Sequence, residues 1–296
     1  MDKKDFEQLV KKAEKMVKYE TDKVMTWCSN CGNFGIQNAL TRALVLEDME
    51  RNDFLLCFDI GCNGNAADKF EAYTIHGLHG RVISLAAGAA LANERMKVIA
   101  FAGDGATFSE GVNHLVHGIR NNYNMVFIHH NNENYGLTIG QASACTRKGV
   151  KMNGTMDGVV VDPINPVEFA LNMGPSFVAR GYSGNVDQLT DIMRAALNHK
   201  GFAFVEVLQA CPTYNRSTPD AWYGERMKDI SELKGYDRGN LEQARRVAAD
   251  MDKDIYSGIL YVNESKQDLL SLQKSREGAK TQLVDEVKFY DVSELM

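Results

Sequence analysis

An acid held between two glycines, Gly103-Asp104-Gly105, follows the apolar run Val98–Phe101, and a pair of amides, Asn131 and Asn132, closes the run NMVFIHHN (124–131). If the two runs are neighbouring parallel strands, the Asp104 carboxylate and the Asn132 amide oxygen reach one rim. That rim, at the carboxyl ends of the strands, is where open α/β sheets bind ligands. A carboxylate, an amide oxygen and a backbone carbonyl, completed by waters or phosphate oxygens, form an octahedral oxygen shell suited to Mg2+. Gly103 and Gly105 let the backbone approach closely, and the N-terminus of the following helix favours phosphate. A lone Gly-Asp-Gly is more often a tight turn. The flanking strands and the asparagine pair reverse that reading in favour of a magnesium-bound diphosphate.

Sulfur offers a second chemistry. Cys28 and Cys31 form a Cys-x-x-Cys loop, Cys62 follows FLLCFDIG (54–61), and Cys211 follows FAFVEVLQA (202–210). Both strand ends face the rim of Asp104, so a loop folded over it gathers four thiolates. The Cys-x-x-Cys alone fits zinc, redox chemistry or neither, and four sulfurs suit zinc as well as an iron–sulfur cluster. Cys57, inside an apolar strand, reads as an inert buried thiol, and Cys145 as a packed one. His76, His79 and Arg81, in TIHGLHGR, have the chemistry to hold a carboxylate or move a proton; the same side chains also suit the bracing of a loop. His129 and His130, at a strand end, are placed to line the pocket, although structure is the better reading of both.

These residues need a frame. Short apolar runs at 54–61, 97–103, 124–131, 176–181 and 202–210 alternate with helical patterns at 81–94, 108–121, 166–173 and 187–199. Strands separated by helices of that length predict βαβ units and a mostly parallel sheet with helices on both faces. Residues 1–20 carry an apolar stripe at Phe6, Val10, Ala13 and Val17 that predicts a further helix. Residues 1–211 form the expected α/β domain. Residues 212–296, less apolar, form a peripheral extension packing on it or on a partner, with helices expected at 240–252 and 266–276. At 44% hydrophobic and 24% charged, the 296-residue chain has the composition of a soluble globular protein. Its net charge of −6 argues against nucleic acid or an anionic membrane as partner. No apolar run reaches the roughly eighteen residues of a membrane span, and the charged start MDKKDFEQ lacks a secretory leader's apolar stretch, which points to the cytoplasm.

The continuation NNENYGLTIGQAS makes the spacing specific. It resembles the NN-x-x-YGLT-x-GQ segment of the β subunits of 2-oxoacid:ferredoxin oxidoreductases. WCSNCGNFGI, DIGC, HGLHGR, NPVEFA, FVARG, HKGFAFVEVLQACPTYN and WYGERM also fall where those subunits have related segments. The resemblance implies a thiamine diphosphate-binding fold of the diphosphate-binding type. It assigns Mg2+ to the side chains of Asp104 and Asn132 and to the Asn134 carbonyl. Gly136, Leu137 and Thr138 would line the diphosphate beside Gly103, Gly105 and Cys62. Cys28, Cys31, Cys62 and Cys211 would hold one 4Fe–4S cluster, which, unlike zinc, accepts electrons singly. His79 and Arg81 match the family's His-Gly-Arg, and with His76 they are expected at the reaction. The implied activity is CoA-linked oxidative decarboxylation of a 2-oxoacid, with electrons passed to ferredoxin. An α (or fused αγ) partner would carry the glutamate that activates thiamine and much of the coenzyme A site. Asn65 and Ile139 stand where some relatives acting on dicarboxylates carry a cation, so pyruvate or another small uncharged 2-oxoacid is expected before 2-oxoglutarate, although Lys69 or the partner could supply a charge. The rival readings are a non-oxidative thiamine-dependent decarboxylase or synthase subunit and a zinc-stabilised scaffold.

Overall fold

Runs rich in Val, Ile, Phe and Ala cannot leave either face in water, and they form the centre of one sheet. The computed structural model describes residues 17–287 and Ser293, so the helix expected over 1–20 lies almost wholly outside the described residues. The strands are β1 (Phe54–Phe58), β2 (Tyr73–His76), β3 (Lys97–Gly103), β4 (Met125–Asn131), β5 (Phe177–Tyr182), β6 (Phe202–Leu208), β7 (Met227–Asp229) and β8 (Ile255–Val262), in spatial order β2-β1-β3-β4-β6-β5-β8-β7. Every neighbouring pair is parallel except β5 and β8.

Alternate residues of each central strand enter opposite cores. Leu56, Ile99, Val126 and Ala203 meet helices α1 (Asn33–Leu46) and α5 (Val186–Asn198). Cys57, Ala100, Phe127 and Phe204 meet α2 (Val82–Ala92), α3 (Val112–Asn121), α4 (Pro166–Asn172) and α7 (Leu241–Ala248). The expected mostly parallel sheet with helices on both faces is the observed one. Local chemistry fixes several helix starts: Asn165 caps α4 with proline in its first turn, and Asn185 and Asn240 cap α5 and α7.

Three features differ from the expectation. The helix expected from residue 108 is split: a π-helical turn, Gly105–Glu110, follows Asp104, and α3 begins only after Gly111. Such wide turns recur at functional sites. The segment after residue 212 contributes β7 and β8 to the sheet as well as α6 (Asp220–Arg226) and α7, so it is built into the domain as well as lying over it. Finally, 266–276 forms turns and a short 3-10 turn, Lys274–Arg276, in place of a helix. There the Asp268 carboxylate accepts from the Ser271 N–H and hydroxyl, a local bond that competes with helix formation.

Candidate functional site

Strands β3 and β4 are direct neighbours, with Gly103 opposite His130. The next residues of both strands therefore emerge together, with the Asn132 backbone N–H near the Asp104 carboxylate, which accepts from the Ser143 hydroxyl. Asp104 is 1% exposed. Burial pushes its carboxyl up to about 7; the Ser143 hydroxyl opposes the rise, and the nearby Glu133 adds to it. An acid buried at that cost suits a cation, which would return it to its charged form.

Gly103, Asp104, Gly105, Asn132, Asn134, Gly136, Leu137, Thr138, Cys62 and His79 all line one cavity of about 380 Å3. Two glycines here sit at close approaches: a Cβ on Gly105 would stand 2.3 Å from the Tyr135 ring, which would have to move, and one on Gly136 would crowd the Cys62 sulfur at 3.0 Å. In the loop that follows β4, the Asn132 amide oxygen accepts from the Asn134 N–H at 3.1 Å. The carboxylate, amides and glycine-lined backbone fit a magnesium-bound diphosphate.

The four expected thiols also meet. Cys28, Cys31, Cys62 and Cys211 line a second cavity of about 170 Å3, which shares Cys62, Asn132, Gly136, Leu137 and Gln209 with the first. A tight turn with Asn30 in the left-handed region joins the first two cysteines, and the Trp27 indole donates to the Cys62 carbonyl at 2.6 Å, closing the loop over the strand end. Burial, then neighbouring thiolates, pushes Cys62 up to about 12; burial likewise raises Cys31, to about 11. A bound metal group reverses that cost by holding the thiolates. No three His, Cys, Asp or Glu side chains among the described residues converge closely enough for a single metal ion.

Of the three residues expected at the reaction, His79 alone lines the first cavity. Its Nδ1 lies 2.9 Å from the Ile60 carbonyl and 3.3 Å from the Asp59 carboxylate, which also accepts the Gly80 and Val82 N–H groups at the start of α2. Arg81 instead donates to the Glu110 carbonyl at 2.8 Å, bracing the end of the π-helical turn. His76, on edge strand β2, packs on Gly64, whose Cβ would stand 2.5 Å from its Nε2. Lys69 is buried beside Asp68, away from the first cavity, which no lysine or arginine among the described residues lines.

Several site residues were not assigned a role at the site from the sequence, and His130 lines the cavity as its place at the strand end allowed. Ser143 grips Asp104, and Asp59 orients His79. Asn33, His130 and Gln209 line the inner wall; Asn33 Nδ2 has no hydrogen-bond partner, and the Gln209 amide faces His130. An orphaned polar atom there is what a polar ligand would satisfy. Sequence position offers a faint signal for two of them: His130 adjoins the asparagine pair, and Gln209 stands two residues before Cys211.

Residues 59–207 match the family model for the C-terminal TPP-binding domain of thiamine pyrophosphate enzymes, and 211–275 match that for the C-terminal part of the pyruvate ferredoxin oxidoreductase β subunit. The 2-oxoacid:ferredoxin oxidoreductase subunit beta of Sulfolobus sp is 37% identical over 249 residues, 80% of this chain and 82% of that one. The chain belongs to the β subunits of the 2-oxoacid:ferredoxin oxidoreductases. Within this oxidoreductase family it is also 37% identical, over 203 residues, to the 2-oxoglutarate oxidoreductase subunit KorB of Mycobacterium tuberculosis, covering 69% of this chain and 54% of that subunit. The 2-oxoglutarate:ferredoxin oxidoreductase from Magnetococcus marinus, solved with 2-oxoglutarate, coenzyme A and succinyl-CoA bound, superposes with a TM-score of 0.85 at 30% identity, covering 95% and 94% of the two chains.

Proposed function

We propose that this β subunit holds magnesium-bound thiamine diphosphate and one 4Fe–4S cluster, and acts with an α partner. The pair would convert a 2-oxoacid and coenzyme A to acyl-CoA and CO2, passing electrons to ferredoxin. The shared wall between the two cavities carries this reading: Cys62, Gly136 and Gln209 line both, so a redox group on the thiols would adjoin the diphosphate site. Thiamine diphosphate, when bound, supplies the carbanion chemistry that lets a 2-oxoacid lose CO2.

The side chains of Asp104 and Asn132 and the carbonyl of Asn134 hold Mg2+, while Gly103, Gly105, Gly136, Leu137 and Thr138 cradle the diphosphate. His79, its Nδ1 engaged by Ile60 and Asp59, has Nε2 left to hold the substrate carboxylate or move a proton. Arg81 and His76 support the loop that carries it. Ile60 and Leu137 in the cavity wall are exposed, as are Leu78 and Ile139, next in sequence to His79 and Thr138. A partner covering this apolar mouth would exclude water from the site.

That no lysine or arginine among the described residues lines the cavity supports pyruvate or another small uncharged 2-oxoacid. A 2-oxoglutarate enzyme is the second reading, favoured by the KorB relative and the Magnetococcus enzyme; its distal carboxylate would need a cation from the partner.

The test is anaerobic purification with the partner subunit, followed by measurement of thiamine diphosphate, iron and acid-labile sulfide. The same preparation is assayed with a 2-oxoacid panel and coenzyme A. Asp104→Ala is expected to lose thiamine diphosphate yet keep iron and sulfide. Unchanged retention in that variant, or turnover by an iron-free protein, would sink the reading.

A further inference from the structure

Glu133 stands between the two expected magnesium ligands of the loop, at φ +59. A bulky residue holds that left-handed conformation only where its surroundings enforce it. Here they do. The carboxylate is 2% exposed and accepts from Arg147 Nε at 3.0 Å and from Asn215 Nδ2 at 3.4 Å. The same Asn215 amide donates to the Asn132 carbonyl at 3.1 Å, and the Thr146 hydroxyl donates to the Glu133 carbonyl at 2.6 Å.

Arg147 is fixed in turn. Its guanidinium lies 4.3 Å over the Trp222 ring and donates to the Met251 carbonyl at 2.9 Å and to the Asp252 carboxylate. One short segment therefore grips both halves of the site: Ser143 holds Asp104, and Thr146 and Arg147 hold Glu133. Asn215, Trp222, Met251 and Asp252 all come from beyond residue 212.

We infer that Glu133, Arg147 and Asn215 are positioning residues that lock the metal loop in its left-handed turn, and that the C-terminal extension closes this lock. The turn decides which way the Asn132 side chain and the Asn134 carbonyl face, and side chains that orient metal ligands are worth roughly 10- to 100-fold in affinity. The inference rests on the magnesium–diphosphate reading and adds to it a role for a segment that carries no ligand.

The test uses the full chain with its partner, stripped of cofactor and titrated with thiamine diphosphate at fixed Mg2+, and with Mg2+ at fixed thiamine diphosphate. Arg147→Met and Glu133→Gln are each expected to weaken both affinities about tenfold or more. Arg147→Lys should recover part of the loss by restoring charge without the planar fork. The Arg147→Met, Glu133→Gln double variant should bind no worse than the weaker single one, because the two act as one unit. Arg194→Met, which breaks the Arg194–Glu47 pair elsewhere, should leave binding unchanged. Should Arg147→Met fail to fold, the nearly isosteric Glu133→Gln decides alone. Affinities within twofold of wild type in every folded lock variant, or additive losses in the double variant, overturn the lock and leave the cofactor reading standing. A wild-type protein that binds no thiamine diphosphate removes both.

Discussion

Two adjacent histidines at the end of β4 have separate surroundings. His129 is enclosed by the rings of Phe108, Phe127 and Phe204, with Nδ1 3.1 Å from the Thr107 hydroxyl. His130 engages the Asn33 amide oxygen through Nδ1 at 3.0 Å and lines the larger cavity. Burial pushes both down to about 3, so both imidazoles are neutral under physiological conditions. Below the ordinary histidine value of about 6.5 the unfolded chain takes up protons that these two refuse. Their contribution to stability is therefore fully present above pH 6.5 and is lost as the pH falls toward 3. Carbon and nitrogen NMR of the imidazoles should show neither ring titrating between pH 8 and 5; a midpoint near 6 for His130 would mean that water reaches the inner wall. At this scale the sequence was legible where spacing along the chain sets the contact, as for Asp104 and Asn132 one step past paired strands. Ser143 and Asp59 were not legible, because each acts on a residue that only the tertiary fold brings near.

Strands β5 and β6 carry a buried ion pair in register. Arg180 lies opposite Glu206; its Nε donates to the carboxylate at 2.6 Å, and the Asn131 amide donates to the other oxygen at 2.9 Å. Both side chains are fully buried, and Arg180 Nη1 has no hydrogen-bond partner. Removing one member leaves an uncompensated charge, so Arg180→Met is expected to cost about 3–5 kcal/mol, whereas replacing both by apolar residues of similar size should cost far less. Denaturant midpoints of the single and double variants measure the difference, and equal losses would remove the argument. The five central strands were legible because continuous apolar runs fit a doubly covered sheet. Strand β8 was not: IYSGILYV lies in a polar stretch, interrupted by Gly258, and its partner β5 is far upstream. The π-helical turn was also hidden, since Phe108, Val112, Leu115 and Ile119 keep ordinary helical spacing across it.

For the whole molecule, an open cavity with apolar residues exposed at its mouth is, under the proposed function, one half of a shared site. The isolated chain is expected to make no acyl-CoA from any 2-oxoacid, and addition of the α partner to restore synthesis. A coenzyme A-dependent assay of each subunit and of their mixture checks this, and turnover by this chain alone would refute it. The four thiols belong to stretches far apart in sequence, at 28–31, 62 and 211, yet they border one small hollow. Any group they hold would thus act as a rivet, whatever its chemistry. Withdrawing it would unfasten the Trp27–Cys31 loop from two strand ends and, because Gly136 rests against Cys62, take the backing from the floor proposed for the pyrophosphate.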